Sequence, residues 1–336
     1  MTLSSLSRRF LLGACLAACA MAAPDARAQT ERAATPDSIG IDYAYYNPVS
    51  LLLMEKGWLE EEFADDDVDI TWVLSLGSNK ALEFLNGDSI QFGSTAGAAA
   101  LIARTNGVPI KGVYIYSKPE WTALVTGPDS PIRTVAELRG KRVAVTRGTD
   151  PHIFLLRALQ EAGLSESDIT PVLLQHPDGL RALQSGQVDA WAGLDPHMAR
   201  GEIEAGDRLF YRNADFNTYG LLNVREDFAQ AYPETVSRVL AVYERARLYA
   251  IEHPDELRAV LVDEANIPEA VAAKQLDERT DLSSSAIGQD QLTAWTEAGQ
   301  VLQEIGVIKS DIDIKATVGE FADPSFVPAA GASSAE

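Results

Sequence analysis

The stretch RVAVTRGTDPHIFLLRALQ, residues 142–160, contains an apolar run, a glycine turn and a second apolar pattern in immediate succession. The first run predicts a β-strand over 142–146, and the later apolar positions predict a helix over 151–162. Gly148 permits a tight turn between them. A strand followed at once by a helix is the building unit of an α/β fold.

The turn itself has the residues of a well-formed helix start. Thr149 or Asp150 can cap the helix, and Pro151 stands in its first turn, where a missing N–H costs nothing. The remaining first-turn amides then point toward the end of the sheet, where they can hold an anion. Taken alone, the pattern is more typical of a helix start than of a ligand site.

The same alternation runs along most of the 336 residues, a length sufficient for two domains. Strands are predicted over 38–43, 68–74, 90–92, 110–116, 121–126, 142–146, 169–174, 190–194, 208–211 and 220–226. Helices are predicted over 49–56, 79–86, 95–106, 151–162, 179–185, 196–204, 233–253, 254–265, 268–275 and 289–304. The alternation predicts two α/β units, each a mostly parallel sheet with helices on its faces.

Three further stretches have the strand-to-helix turn: LSLGSNKALEFL (74–85), QFGSTAGAAALIA (91–103) and AGLDPHMAR (192–200). Each has Gly, Ser, Thr or Asp where the helix begins. If the carboxyl edges of both sheets face one cleft, the four turns converge there. Convergence favours a ligand site, because a helix start with a purely structural role does not require other helix starts beside it.

Charge excludes one class of partner. The formal net charge is −21, so a nucleic acid or an anionic membrane would be repelled. The hydrophobic content of 46% is that of an ordinary globular protein with a core.

Residues 1–28 read as an export signal. Arg8 and Arg9 precede an apolar stretch that is too short to span a membrane, and a small-residue cleavage site ends at Ala28. The run 7–11 resembles a twin-arginine signal with one residue of the usual spacing missing, so ordinary secretion stays open. Residues 16–19 also resemble a lipoprotein box, in which Cys19 would be lipidated.

Both cysteines, Cys15 and Cys19, lie in this leader. A chain cut after Ala28 would therefore have no disulfide, thiolate metal site or cysteine nucleophile. The last residues, 328–336, lack large apolar side chains and are predicted to be a disordered tail.

Catalytic and metal motifs are not evident. Asp150, His152, Asp195 and His197 could be imagined as metal ligands, but no paired histidine spacing supports this. The chain also has neither a Gly-x-Ser-x-Gly elbow nor a phosphate-binding P-loop. We expect no metal, no cofactor and no enzyme.

Aromatic residues fall near predicted strand ends, where a pocket wall would lie: Tyr43, Tyr45, Tyr46, Trp121 and Tyr219. Packing in a core or between lobes explains at least half of them equally well.

Several of these stretches together resemble the aliphatic sulfonate, taurine and nitrate binding proteins of ABC importers. They are MEKGWLEEEF (54–63) after Asn47-Pro48, the run 76–97, the run 129–164 and LQSGQVDAWAGLDPHMA (183–199). SPIRTVAELRGKRVAV (130–145) with the following Gly-Thr-Asp is the most specific. The resemblance covers nearly the whole mature chain.

The resemblance implies a two-lobed, type II-like periplasmic binding protein with a hinge and a ligand cleft. Lobe 1 would comprise 37–126 and 222–327, and lobe 2 would comprise 127–221. Hydroxyls and first-turn amides of both lobes would hold an acid-headed ligand, which points to Gly77, Ser78, Ser94, Thr95, Gly148 and Thr149.

Other positions are implied to complete the pocket. Asp195 would orient the ligand or pair with a ligand amine, and Asn217 and Trp121 would line the cleft. Tyr46, Asn47 and His152 are placed at the pocket as well. His197 is expected to pack on its helix.

Two departures leave the ligand open. Leu194 replaces the tryptophan often found in this family before the residue equivalent to Asp195. STAGAAA (94–100) lacks the polar Gly-Asp-Thr of many sulfonate binders.

The expected function is capture of a small organosulfonate or similar oxoanion in the periplasm, by a monomer that delivers it to an ABC permease and its ATPase. Alternatives are another nutrient on the same fold, such as nitrate, a pyrimidine precursor or an aromatic carboxylate or sulfonate. A more distant alternative is a periplasmic enzyme with Asp150 and His152 as an acid–base pair.

Overall fold

A computed structural model describes residues 35–326, which contain two β-sheets. The predictions for the leader 1–28, Cys19 and the tail 328–336 lie outside these residues. The strands are β1 (Ser38–Tyr43), β2 (Asp69–Leu74), β3 (Phe92–Ala96), β4 (Ile110–Pro119), β5 (Thr122–Thr126), β6 (Arg142–Val145), β7 (Thr170–Leu173), β8 (Ala190–Leu194), β9 (Arg208–Tyr211), β10 (Gly220–Arg225) and β11 (Thr280–Asp281).

The first sheet has the order β11-β4-β10-β3-β1-β2, and the second has the order β7-β6-β8-β5-β9. In the first, β1 is parallel to β2 and β3, whereas β10 runs antiparallel between β3 and β4. In the second, β6 is parallel to β7 and β8, and β5 is antiparallel to β8 and β9. The predicted two-unit α/β fold is confirmed, but the prediction of mostly parallel sheets was wrong, because strands that return from the other sheet pair antiparallel in both.

Helices cover the faces of both sheets. They are α1 (Pro48–Lys56), α2 (Trp58–Phe63), α3 (Ser78–Asn86), α4 (Gly97–Thr105), α5 (Asp150–Glu161), α6 (His176–Gln184), α7 (His197–Arg200), α8 (Glu226–Ala231), α9 (Pro233–Glu252), α10 (Pro254–Ala265), α11 (Glu269–Arg279), α12 (Gln289–Glu304) and α13 (Ile314–Phe321). None of the helices within 35–326 has the length and apolar composition needed to cross a bilayer.

Two helix predictions were wrong at one end. α6 begins at His176, three residues before the predicted start, because Pro177 suits a first turn while Gly179 lies inside the helix. α11 continues to Arg279, beyond the predicted end at 275, and packs against α7, with the buried Arg279 paired to Asp195.

Two short segments connect the sheets. Residues 120–121 lead from β4 to β5, and residues 212–219 lead from β9 back to β10. The 120–121 connector holds Glu120 and the 212–219 connector holds Arg212, whose guanidinium donates to both carboxylate oxygens of Glu120 at 2.8 and 2.7 Å. β5, which the sequence analysis grouped with lobe 1, pairs within the second sheet.

Each sheet has its own apolar core. Ile39, Phe92 and Leu240 are fully buried in the cluster around the first sheet. Trp191 is fully buried in a cluster at the second, where its indole leaves Gly179 of α6 no room for a side chain: a β-carbon there would lie 2.5 Å from the indole nitrogen. The two cores fix the sheet ends from which the site helices begin.

Candidate functional site

Several helices begin at the carboxyl ends of parallel strands without a side-chain cap, and three of them lie close together. α3 follows β2, α5 follows β6 and α6 follows β7, and their cap residues are Gly77, Thr149 and Gln175. By contrast, the Asn47 side chain caps α1 by accepting from the Ser50 amide. An uncapped helix start presents backbone N–H groups and roughly half a positive charge to whatever lies in front of it.

These helix starts face each other across the boundary between the sheets. A β-carbon added to Gly77 would lie 3.2 Å from Nε2 of His176, and one added to Gly148 would lie 3.6 Å from Cβ of Asn79. The α3 start belongs to the first sheet, whereas the other two belong to the second. We call residues 77–79, 148–150 and 175–176 the seam.

Two hydroxyls at the seam differ in what they can offer a ligand. Ser78 Oγ accepts from the Ala96 amide at 3.0 Å, which leaves its own proton free for another acceptor. Thr149 Oγ1 instead donates to the Thr146 carbonyl at 2.6 Å. An anion at the seam would therefore meet the Ser78 hydroxyl but only the backbone of Thr149.

Gly148 is the residue that lets the second sheet approach. It has φ +78°, a conformation that L side chains rarely adopt, and it sets Thr149 at the start of α5. A side chain here would strain the turn and crowd Asn79.

Ser94, Thr95 and Asn47, all proposed as ligand contacts from the resemblance, belong to an internal network. Ser94 Oγ donates to Asp42 at 2.8 Å and accepts from Asn47 Nδ2 at 2.8 Å, while Thr95 Oγ1 accepts from Asn223 Nδ2 at 2.8 Å. All of these residues are fully buried. The structure thus assigns them hydrogen bonds that hold β3 to β1, α1 and β10.

Asp42 is the charged centre of that network. Burial raises its pKa to about 6, while hydrogen bonds from Ser94 act in the opposite direction. The Ser94 amide and hydroxyl both donate to Oδ1 at 2.8 Å. The carboxylate is buried and stabilises the end of β1 through Oδ1, while its Oδ2 has no partner among the described residues.

Tyr46, Trp121 and Asn217 also have internal partners. Tyr46 donates to the Ser94 carbonyl at 2.9 Å and packs edge-on against Trp121 at 5.9 Å between ring centroids. Trp121 Nε1 donates to Asp150 at 2.8 Å. Asn217 Nδ2 donates to the Ala214 carbonyl at 3.2 Å, which leaves its buried Oδ1 without a partner.

Asp150 ties both connectors to the start of α5. Besides Trp121 of the first connector, it accepts from Thr218 Oγ1 of the second at 2.8 Å. Burial raises the pKa of its carboxyl, and the donors from Trp121 and Thr218 counteract this. Both connectors and the seam are thereby linked through one side chain.

The Asp195 carboxylate accepts hydrogen bonds from Arg279, a residue that the sequence analysis did not single out. Arg279 Nη1 lies 3.1 Å from both carboxylate oxygens, and the Ala199 amide donates to Oδ1 at 2.8 Å. Arg279 also pairs with Glu202. The pair links α11 to the end of β8, so Asp195 bridges the two halves of the molecule directly.

Asp150 and His152 do not face each other. His152 Nε2 faces Glu166 at 3.4 Å, whereas Asp150, two residues earlier, faces the connectors. The proposed acid–base pair is therefore not formed. Across 35–326, no three His, Asp or Glu side chains come together as a metal would need.

Sequence reasoning missed Asn79, Gln175, His176 and Arg279. The signal for His176 was present, because His-Pro follows the apolar run PVLL (171–174) as Asp-Pro follows the others. Placing the helix start at 179 hid it. Arg279 lies beyond the predicted end of its helix, and nothing local marks its partner Asp195.

Comparison with known proteins agrees with this fold. Residues 52–257, more than half of the chain, match the model of the family described as NMT1/THI5 like. A protein of Escherichia coli (strain K12), provisionally named an aliphatic sulfonates-binding protein, is 28% identical over 283 residues, which cover 84% of this chain and 88% of the relative.

Solved structures give the same result. The alkanesulfonate-binding protein SsuA from Xanthomonas axonopodis pv. citri, bound to MOPS, has a TM-score of 0.78 and 26% identity, and the match covers 87% of this chain and all of that one (100%). The periplasmic aliphatic sulphonate binding protein SsuA from Escherichia coli has a TM-score of 0.71 and 27% identity over 84% of this chain and 97% of that one.

Proposed function

The chain belongs to the NMT1/THI5-like family, and from this premise we propose that it is the solute-binding protein of an ABC importer for a small organosulfonate. It captures its ligand in the periplasm as a monomer and delivers it to a permease coupled to an ATPase. The names of the similar sulfonate-binding proteins support the ligand class.

The observation that carries this proposal is the meeting of three uncapped helix starts at the seam. α3 comes from one sheet and α5 and α6 from the other, with Gly77 and His176 in contact range. A sulfonate has three acceptor oxygens and no proton to give at neutral pH. Backbone amides from several helix starts can donate hydrogen bonds to those three oxygens.

The strong negative charge of the protein does not oppose this ligand. Surface charges more than about 8–10 Å away are screened by salt, whereas helix-start amides act at contact distance in a dry site. The local field at the seam therefore decides binding.

Closure of the two halves supplies the signal to the permease. A ligand that contacts α3 on one side and α5 on the other binds the closed form better, and its differential affinity shifts the population toward that form. The connectors 120–121 and 212–219, clamped by Glu120 and Arg212, are the natural hinge.

Isothermal titration calorimetry tests the ligand class. Linear alkanesulfonates, an aromatic sulfonate, nitrate and an aromatic carboxylate are titrated into the purified protein, and we expect heats only with the sulfonates, at micromolar or tighter affinity. Ser78→Ala should weaken sulfonate binding about tenfold, because it removes a charge-assisted hydrogen bond.

Ser237→Ala is the matched control, since Ser237 donates to its own helix on α9. Unchanged affinity in that variant and in Ser78→Ala alike would place the anion elsewhere. Heats with nitrate or the carboxylate but with no sulfonate would overturn the ligand class.

A further inference from the structure

His176 is a buried imidazole whose hydrogen bonds are unmade. Its side chain is fully buried, and neither Nδ1 nor Nε2 has a partner among the described residues. Buried polar groups are nearly always paired, so each such group calls for an explanation. Its position at the first residue of α6 places it in the seam.

The side-chain amides of Asn79 and Gln175 also each have an oxygen without a hydrogen-bond partner in the described part of the chain. Oδ1 of Asn79 and Oε1 of Gln175 are buried and have no partner within the described chain. Asn79 Oδ1 and His176 Nε2 lie 2.9 and 3.2 Å from one point, the position that a Gly77 β-carbon would take. Unpaired polar atoms from both sheets thus converge beside the glycine of the α3 turn.

The cluster has polarity but no net charge. Lys80 pairs with Glu83 along α3, and Asp178 pairs with Arg181 along α6, so the nearest charged side chains on these helices are neutralised one turn away. Burial lowers the pKa of His176 to about 3, and nearby His197 adds to this. A neutral imidazole has one acceptor nitrogen and one donor nitrogen.

The buried atoms of the cluster that have no partner among the described residues are therefore mainly acceptors: two amide oxygens and one ring nitrogen, with one ring N–H. The amide N–H groups of Asn79 and Gln175 are donors beside them. A sulfonate cannot satisfy acceptors, because it has no hydrogen to donate. A ligand ammonium would be stripped of water here without a facing carboxylate, which is costly. A neutral O–H group fits, since it donates once and accepts once.

We propose that Asn79, Gln175 and His176 form a second, uncharged subsite that binds a hydroxyl group on the carbon chain of the ligand. This inference rests on the proposed function, because the helix starts would hold the sulfonate of the same molecule. The ligand class becomes hydroxyalkanesulfonates, and His176 becomes a specificity-determining residue.

Matched ligand pairs test the subsite by calorimetry. Ethanesulfonate is compared with 2-hydroxyethanesulfonate, and propanesulfonate with 2,3-dihydroxypropanesulfonate; 2-aminoethanesulfonate is the charged probe. We expect the hydroxylated member of at least one pair to bind at least about tenfold tighter, since a site built for a hydroxyl rejects the analogue that lacks it. The amine should bind no tighter than ethanesulfonate.

Variants of His176 test whether this residue causes the preference for hydroxylated ligands. His176→Leu should reduce the hydroxyl preference, the ratio of the two affinities within a ligand pair, to less than about threefold, and His176→Gln should retain part of it. His253→Gln is the control, because that histidine is exposed and stacks on Tyr249, away from the seam. If His176→Leu fails to fold, Asn79→Ala makes the same test from the other sheet.

The outcomes separate the two proposals. Equal affinities within both ligand pairs, or tightest binding of the amine, would overturn the hydroxyl subsite and leave the sulfonate function standing. Absence of binding by every sulfonate would overturn the function itself. A hydroxyl preference that survives both His176→Leu and Asn79→Ala would move the subsite away from these residues.

Discussion

At the scale of single residues, the side chains with the largest energetic consequences are those that the structure pairs in its interior. Asp42, Asp150 and Asp195 are all buried, and each is held by donors on another element. The sequence shows such residues as acids beside apolar runs. It does not show their partners, which lie tens of residues away.

Asp195 illustrates the limit of inference by position. The resemblance implied a ligand contact there, and its place after β8 was predictable from the apolar run 190–194. Its partner Arg279 comes from the far end of the chain, so only the tertiary fold brings the two together. A local pattern can locate a carboxylate but cannot tell whether a ligand or an arginine neutralises it.

Breaking this ion pair should be strongly destabilising. We expect Arg279→Met to lower the free energy of unfolding by about 3–5 kcal/mol, because it leaves the Asp195 carboxylate buried without its counter-ion. Urea denaturation measures this. The double variant Arg279→Met/Asp195→Leu should recover part of the loss.

Arg181→Met serves as the control for that experiment, since Arg181 pairs with Asp178 at the surface, where both side chains are exposed, and such pairs contribute about 1 kcal/mol or less. Equal losses for the two arginines would mean that the Asp195 pair is not special.

His176 predicts a pH dependence of stability. Its pKa is lowered by burial to about 3, so the unfolded chain takes up a proton below about pH 6.5 while the folded chain does not. The contribution of the neutral, buried His176 to the free energy of unfolding is therefore present above about pH 6.5 and is lost as the pH falls. Asp42 and Asp195, with pKa values raised to about 6, act in the opposite direction, so the test is a difference between variants.

The free energy of unfolding in urea, measured at pH 7.5 and at pH 5, isolates the contribution of His176. The wild type should lose about 2 kcal/mol more than His176→Gln between these values. His253→Gln, at an exposed histidine, should follow the wild type. Parallel losses in the wild type and His176→Gln would contradict the burial of a neutral imidazole.

At the scale of elements, the order of strands and helices follows from the sequence because each apolar run and glycine turn acts locally. The α5 unit is an example: the predicted strand 142–146, Gly148 and Pro151 are all where the structure has them. Pairing of β10 between β3 and β4 could not be predicted, because sheet order depends on contacts between distant segments.

The start of α4 shows an element fixed by its neighbours. Gly97 lies where the Trp295 indole of α12 crosses to donate to the Thr218 carbonyl at 2.8 Å. A β-carbon on Gly97 would lie 1.9 Å from the indole nitrogen. The predicted ligand turn at 93–97 is thus closed by a tryptophan from α12 and by the second connector.

Substitution here should show the crowding. We expect Gly97→Ala to destabilise the protein by about 2 kcal/mol or more, because it overpacks a rigid site and displaces the indole hydrogen bond. Chemical denaturation followed by circular dichroism gives the value. Gly319→Ala on α13, where nothing lies within 4 Å, is the control and should be neutral or slightly stabilising.

Should both glycine variants unfold at the same urea concentration, Trp295 would have to move freely, and the contact would not constrain the connector.

At the scale of the whole molecule, two sheets are joined by two connectors and by contacts across their boundary. Glu120 with Arg212 clamps the connectors, Asp150 fastens both to α5, and Asp195 with Arg279 spans the two halves. The seam lies between these fixed points. Under the proposed function, a ligand bound at the seam would bias the two halves toward closure.

The most direct measurement is a crystal structure of the protein with a bromine-labelled alkanesulfonate, located by anomalous scattering. We expect the sulfur between the α3 and α5 starts, within hydrogen-bond reach of the Ser78 hydroxyl and of backbone amides at Thr149–Asp150. A sulfonate bound instead beside Ser94 or Asp195, or on the outer surface, would contradict a binding site at the seam.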